Sequence, residues 1–417
     1  MSSGWERWLA AAALLTLIAG CSARRQASPA APALAAEAAP PSAQPSWTPR
    51  RQLRIGLRRA GGDVAVVRAA GGALSLGTAS VELPAGARVK VYPDFAGREL
   101  RVIAPGIDRR GPSARLTGGG TIGGRRYPDA LAFRLGGEGV VVTNEVDVER
   151  YLLGVVPGEI PRSFQFEAQK ALAIAARSYA LRMLDKHAAG GYDLCDTTHC
   201  QVYLGETGGD GPGVRAVKAT RELALWFHNA PAYCFYSADC GGVSTSISHV
   251  PLPDAPPSAV IYLTRVEDKA PGGALYCQSS PFHTWERRLS AEDLSRRLAA
   301  EEATAVGAVQ RVEFTEHDDT GRVLTARVAG DQREITLTGW DFRMAVGSLT
   351  LRSTLMTVER TADGSFLFRG RGNGHGVGLC QIGANGMARA GRTTREILAH
   401  YYPGTTIAAL PKTLATP

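Results

Sequence analysis

Apolar and polar positions alternate through the early part of the chain. Leu53-Arg54-Ile55-Gly56-Leu57, Val64-Ala65-Val66-Val67, Val89-Lys90-Val91-Tyr92 and Leu131-Ala132-Phe133-Arg134-Leu135 follow one another with glycine-rich turns between. A period of two predicts short strands with one buried face, so residues 51–143 read as a β-rich N-terminal part. Val140–Val142 and Asn144–Val146 end this series, and the run EVDVERYLLG after them reads as strand-like. The pattern then turns helical. A helix is predicted from about Gln165 to Leu184, with Ser163 as its cap and Glu167 in the first turn, where the helix dipole favours an acid. Ala171, Leu172, Ala175, Ala176 and Tyr179 form its buried stripe. Ser290-Ala-Glu-Asp293 predicts a capped helix to about Ala300. Strands follow at Val312–Thr315, Arg322–Val328, Glu334–Leu337, Thr357–Glu359 and Phe366–Phe368. A last helix begins near Thr394 and is stopped by Tyr402-Pro403-Gly404. The fold class is α+β: a β-rich N-terminal part, a helix-rich centre, and a β-rich C-terminal part ending in a short helix. Residues 144–408 form the core unit and 409–417 a tail.

The N-terminus speaks about the compartment. Arg7 precedes the apolar run Leu9–Ala19, which is too short to span a bilayer comfortably and suits a secretory leader. Its end, Leu17-Ile18-Ala19-Gly20-Cys21, resembles a bacterial lipobox, so 1–21 is expected to be a lipoprotein signal with Cys21 as the lipidated residue. Residues 22–50 are rich in Ala and Pro and read as a disordered spacer with a reach of about 30 Å. Membrane attachment is expected through the lipid alone, outside the cytoplasmic membrane. Ser22 after the lipidated Cys favours the outer membrane in a cell that has two.

Composition changes the picture little. The 417 residues carry a formal charge of +8 and are 44% hydrophobic, an ordinary globular balance. The positive charge suits an anionic polymer or surface. The basic residues are spread along the chain and form no dense block interleaved with aromatics, so nothing selects nucleic acid. Six cysteines follow Cys21, and an even count in an oxidising envelope permits disulfides.

Four stretches are candidates for chemistry. The first is Val155-Val156-Pro157-Gly158-Glu159-Ile160-Pro161, where two prolines stiffen the chain around one acid; Glu159 is either a solvated turn acid or a deliberately aimed carboxyl. Lys170 and Arg177 point the same way from the following helix, as a solvated basic edge or as a cationic lip beside Glu159. In the second, Gly370-Arg-Gly-Asn-Gly-His-Gly-Val-Gly-Leu-Cys-Gln-Ile-Gly383, five glycines alternate around His375. No register satisfies GxGxxG, and the chain has no Walker motif. Alternating Gly permits close approach of another chain, with His375 as a hydrogen-bonding tip and Gln381 as an amide suited to sugar hydroxyl or N-acetyl groups. The third is Cys195-Asp-Thr-Thr-His199-Cys200, with His187 upstream. Its spacing falls within that of zinc sites, with His187 the nearest fourth ligand, and a disulfide is the competing reading. The fourth is Tyr236-Ser237-Ala-Asp-Cys-Gly241-Gly242. No GxSxG elbow surrounds Ser237, which argues against a serine hydrolase, and nothing local would activate Cys380 beside His375 as a cysteine peptidase.

Together these motifs resemble the SpoIID/LytB family, named for stage II sporulation protein D. The matching residues are Asn144-Glu-Val-Asp-Val-Glu-Arg-Tyr-Leu-Leu-Gly-Val-Val-Pro-Gly-Glu159-Ile-Pro, Glu167 to Tyr179, Ser237 to Gly242, Gly372 to Ala388, and His400-Tyr-Tyr-Pro-Gly404, over roughly Gln52 to Ile407. The resemblance implies a peptidoglycan lytic transglycosylase that cleaves glycan strands, in the best-understood members strands stripped of stem peptides. It places the catalytic acid on Glu159 and supporting basic residues on Lys170 and Arg177; Ser237, Gly241, Gly242, His375 and Gln381 are the further substrate contacts expected from the motifs themselves. It implies no required cofactor; some members hold a structural zinc, here at Cys195, His199, Cys200 and His187. The partners implied are glycan strands and, through the family's amidase enhancers, a cell-wall amidase. A lone acid fits this chemistry. The muramoyl C6 hydroxyl attacks within its own sugar, so one carboxyl serves as acid and then base where a hydrolase needs a pair. Such an acid should be raised by its apolar neighbours and free of a salt bridge to Arg177.

Overall fold

The computed structural model describes residues 50–411, apart from 59, 63, 64, 253–258 and 260. The leader with Cys21, the spacer short of Arg50, and 412–417 lie outside the described residues. The described chain is one compact α+β unit.

The early alternation forms two sheets. One has seven strands in the order Leu194–Cys195, Gln52–Gly56, Gly139–Asp147, Ala130–Gly136, Ser113–Thr117, Gly72–Leu76 and Ala79–Leu83. The other has six, with Ala65–Ala69, Arg88–Asp94 and Glu99–Ala104 at its centre. Leu53, Ile55, Val67, Val89, Val91 and Val102 are all fully buried, as expected for the inward half of each strand. The boundary drawn at 143/144 falls inside the strand Gly139–Asp147, so the sheet runs without a break into the core unit.

The run EVDVERYLLG is not a strand beyond Asp147. Asp147 accepts from the Glu149 amide at 2.8 Å and caps a helix, Val148–Glu159. Val148, Tyr151, Leu152, Val155 and Val156 are its buried face, each fully buried. Pro157 lies inside the last turn and cannot donate to the Leu153 carbonyl; the Thr207 hydroxyl donates to that carbonyl instead, at 3.2 Å.

The central helix, Phe166–Arg182, is packed by the helices Val148–Glu159, Pro212–Ala219, Gln381–Arg389 and Thr394–Tyr401. Its N-cap is Gln165, and no side chain caps it. Ser163 therefore does not serve as the expected cap. The Gln165 amide donates to Asn385 Oδ1 at 2.8 Å, so a distant segment receives the helix start.

The C-terminal part has its own core. Helices Ala291–Leu298 and Gly339–Val346 contact the sheet of Val309–His317, Val323–Gly330 and Glu334–Thr338, around Leu294, Phe342, Phe366 and Phe368. Ser290 caps its helix by accepting from the Asp293 amide at 3.0 Å. The chain then returns to the centre. Leu379–Cys380 pairs in parallel with Tyr236–Ser237, and the final helix, Thr394–Tyr401, opens with a reciprocal capping box between Thr393 and Glu396.

Candidate functional site

Glu159 is the last residue of its helix and is half-buried. Two glycines on that helix decide what reaches it. A Cβ on Gly154 would stand 2.1 Å from the Gly205 carbonyl, and one on Gly158 would stand 2.9 Å from the Val202 carbonyl. Bare of side chains, this face lets the segment 201–205 lie along the helix, and the Leu204 amide donates to the Gly154 carbonyl at 3.3 Å. The result is a short bond from the Val202 amide to Glu159 Oε1, at 2.6 Å.

Two further groups converge on the carboxyl. Gln381 Nε2 donates to Oε2 at 3.5 Å, and the Tyr236 hydroxyl stands close enough to favour the carboxylate. Tyr236 is held in turn by the buried Gln201, whose Nε2 donates to the phenol oxygen at 3.0 Å; Tyr151 donates to Gln201 Oε1 at 3.2 Å. Burial pushes the Glu159 carboxyl up from 4.5 to about 7, while the Val202 amide, the Gln381 amide and the Tyr236 hydroxyl pull it down. Desolvation disfavours the anion and the donors favour it. The group is thus poised between acid and base near neutral pH.

The glycine-rich segment does approach another chain closely, and that chain is the protein's own. A Cβ on Gly378 would stand 2.2 Å from the Phe235 carbonyl. This packing joins Leu379–Cys380 to Tyr236–Ser237 and brings Tyr236 and Gln381 to the same carboxyl.

Several expected substrate contacts are corrected. Arg177 is fully buried, and its Nε and Nη2 donate to Glu149 Oε1 and Oε2, each at 2.8 Å. With Nη1 also on the Leu223 carbonyl at 2.9 Å, it is an internal strut and no cationic lip. Its guanidinium is thus engaged by Glu149 and by the Ala173 and Leu223 carbonyls. Lys170 is partly exposed, but its ammonium is held by Glu167 at 2.6 Å and lies over the Phe166 ring. His375 is not a free tip: Nε2–H donates to the Tyr236 carbonyl at 2.9 Å, and Nδ1 accepts from the Val377 amide at 3.0 Å. Burial pushes it down to about 4, so it is a neutral brace for Tyr236. Gly241 and Gly242 are buried in a positive-φ turn that packs on Leu355 and Leu275. Ser237 is 7% exposed and Gln381 5%; the first lies against Gly374, and the second touches Glu159.

His187, Cys195, His199 and Cys200 come together, as their spacing suggested. Their donor atoms all lie within 4.8 Å of one another. His187 Nε2 stands 3.2 Å from Cys200 Sγ, and His199 Nδ1 stands 3.6 Å from Cys200 Sγ and 3.8 Å from Cys195 Sγ. Tetrahedral zinc with Zn–S of about 2.3 Å and Zn–N of about 2.0 Å implies S···N edges of about 3.5 Å. Two thiolates and two imidazoles at these separations fit the ion. The loop they define leads directly into Gln201 and Val202, two of the groups that organise Glu159.

The residues missed from sequence are Tyr236, Gln201, Tyr151 and the Val202 amide. Tyr236 stood inside a quoted motif beside Ser237. In an alternating strand the neighbour of a candidate faces the other way, which was the available signal.

Comparisons place the chain among known proteins. A family model described as Stage II sporulation protein matches residues 136–227, spanning the Glu159 helix and the central helix. A second, described as a domain of unknown function (DUF8618), matches 274–378. An uncharacterized protein of Brachyspira hyodysenteriae is 31% identical over 74% of this chain and 79% of its own length. Stage II sporulation protein D of Bacillus subtilis is 30% identical over 63% of this chain and 74% of its own length. The amidase enhancer of Bacillus subtilis is 28% identical over 61% of this chain and 40% of its own length. The shared extent and the placement of the matched residues around Glu159 assign this chain to the SpoIID/LytB family.

Proposed function

We propose that this protein is a peptidoglycan lytic transglycosylase of the cell envelope, with Glu159 as its acid and base. The observation that carries the reading is a half-buried carboxyl that burial pushes up to about 7 against the pull of the Val202 and Gln381 amides, with the Tyr236 hydroxyl beside it. Among the described residues its polar partners are an amide, a carboxamide and a phenol, with no carboxylate. That suits a reaction in which the nucleophile comes from the substrate itself. Protonated, Glu159 delivers its proton to the glycosidic oxygen as the bond breaks. The Val202 amide and the Tyr236 hydroxyl then stabilise the carboxylate, which takes the proton of the muramoyl C6 hydroxyl as the anhydro ring closes. The proton count balances with no water consumed.

With Arg177 internal and Lys170 engaged, Arg162 and Arg215 are exposed cations, one on the segment after the Glu159 helix and one on a helix packed against it. They line a depression of about 300 Å³ with Phe164 and Phe166, starting three residues after Glu159. We assign them the substrate's carboxylates. A structural zinc would be held by His187, Cys195, His199 and Cys200, fixing the loop that presents Gln201 and Val202. Four protein donors close the coordination shell and leave no position for a catalytic water, which argues against a zinc amidase. Attachment through lipidated Cys21 at the outer membrane, where a cell has two, belongs to the same proposal.

The amidase-enhancer relative favours a second reading, a non-catalytic glycan-binding adaptor for a wall amidase. Incubation with isolated glycan strands, with and without stem peptides, followed by mass spectrometry, separates the two. Anhydro-muramoyl ends made by the protein and lost in Glu159→Gln support the enzyme. Absence of products with strand binding intact supports the adaptor, and released stem peptides would refute both.

A further inference from the structure

Three cysteines outside the loop 195–200 meet in the interior. Cys240, Cys277 and Cys380 are 0–1% exposed. Their sulfurs and a carboxylate oxygen of Asp239, itself 1% exposed, all lie within 4.8 Å of one another. Cys240 Sγ stands 3.9 Å from Cys277 Sγ; the edge of a tetrahedral zinc–thiolate site is about 3.8 Å. Asp239 Oδ1 accepts from the Gly241 amide at 2.8 Å, while Oδ2 is buried with no hydrogen-bond partner. An orphaned buried carboxylate oxygen beside three thiols is costly unless something else occupies the space.

We propose that Asp239, Cys240, Cys277 and Cys380 form a second structural metal site, for zinc or another thiophilic divalent cation. Soft thiolates select such ions, and a closed shell of four protein donors makes the site structural. Burial pushes the Cys240 and Cys380 thiols up, so an ion must displace their protons, but donors already face the sulfurs. The amides of Cys240 and Gly383 each point at Cys380 Sγ at 3.3 Å, and Cys380 caps the helix Gln381–Arg389. Arg322, 2% exposed, donates to the Cys240 carbonyl at 2.6 Å, which sets a buried cation beside the cluster. Metal entry releases three thiol protons, and that of Cys240 is already directed at Asp268 Oδ2, 3.4 Å away. An odd number of thiols cannot all be consumed in internal disulfides, whereas one ion engages all three. The site clamps the segment that follows Tyr236 to the residue that precedes Gln381, and so fixes two of the partners of Glu159.

The test uses the full chain. Metal content per chain is measured by inductively coupled plasma mass spectrometry on the wild type and on Cys195→Ser/Cys200→Ser, which removes the other site. The wild type is also loaded with ¹¹³Cd and read by NMR, so the result does not depend on a buried variant folding. The expected result is a metal equivalent that survives Cys195→Ser/Cys200→Ser, and a ¹¹³Cd resonance in the range of three-thiolate coordination. Loss of all metal in that variant overturns the proposal. So does alkylation of the denatured, unreduced protein that finds two of the three cysteines joined in a disulfide.

Discussion

Replacing Glu159 by glutamine should abolish catalysis and stabilise the fold, and the stabilisation should depend on pH. The carboxyl has an ordinary value of 4.5 and a folded value of about 7. At ~1.4 kcal/mol per pH unit, keeping it ionised in the fold costs about 3 kcal/mol at most. Below pH 4.5 the folded and unfolded chains both hold the proton, and the wild type bears no cost. As pH rises the unfolded chain releases its proton first, so this contribution is lost progressively until the folded value is passed. Glu159→Gln carries no ionisation and keeps an oxygen for the Val202 amide. Its advantage over the wild type should therefore grow from near zero at about pH 4 to about 2–3 kcal/mol at about pH 8. Denaturant unfolding of both proteins across that range reads the difference. Formation of anhydro-muramoyl ends should fall by at least ~10²–10⁴. A stability difference that stays constant with pH would refute the raised carboxyl. Retained activity would refute its role.

Tyr236→Phe removes a donor that favours the Glu159 carboxylate, so the alkaline limb of kcat should move to higher pH; an unmoved limb means the phenol has no influence on the acid. Arg177→Leu leaves Glu149 buried without its partner and should cost about 3–5 kcal/mol in denaturant unfolding, and a loss near zero would contradict the strut. Gly154→Ala drives a Cβ against the Gly205 carbonyl; it should displace the Val202 amide and lower activity by ~10-fold or more, so wild-type turnover would disprove the close-approach argument. Arg162→Ala combined with Arg215→Ala should raise KM with kcat nearly unchanged, and an unaltered KM would remove the depression from the substrate path.

Much of the architecture could be read from periodicity, and the failures have physical causes. The strands around Leu53, Val89, Leu131 and Phe366 lie where alternation puts them, because each buries one face. The helix Val148–Glu159 was missed although Val148, Tyr151, Leu152, Val155 and Val156 have helical spacing. It follows an alternating strand without a gap, and Pro157 and Gly158 signal a turn until Thr207 is known to satisfy the freed carbonyl. Glu159 could be singled out by its stiff setting, but the groups that tune it come from residues 202, 236 and 381, and no local pattern joins them. Spacing alone puts Arg177 on an exposed basic edge or lip, because helical spacing does not say how many neighbours a helix has. The alanines at 168, 171, 173, 175, 176 and 180 let four helices close around this one. The glycine alternation signals close approach, and the chain approached is the protein's own strand.

The bond between Gln381 and Glu159 spans 222 positions of the chain. A nascent polypeptide that has the glutamate but not yet the distant segments that bury it owns a carboxyl of unremarkable acidity, because burial is what raises it. Under the proposed function, a chain still lacking its last helices would hold the acid without the setting that poises it.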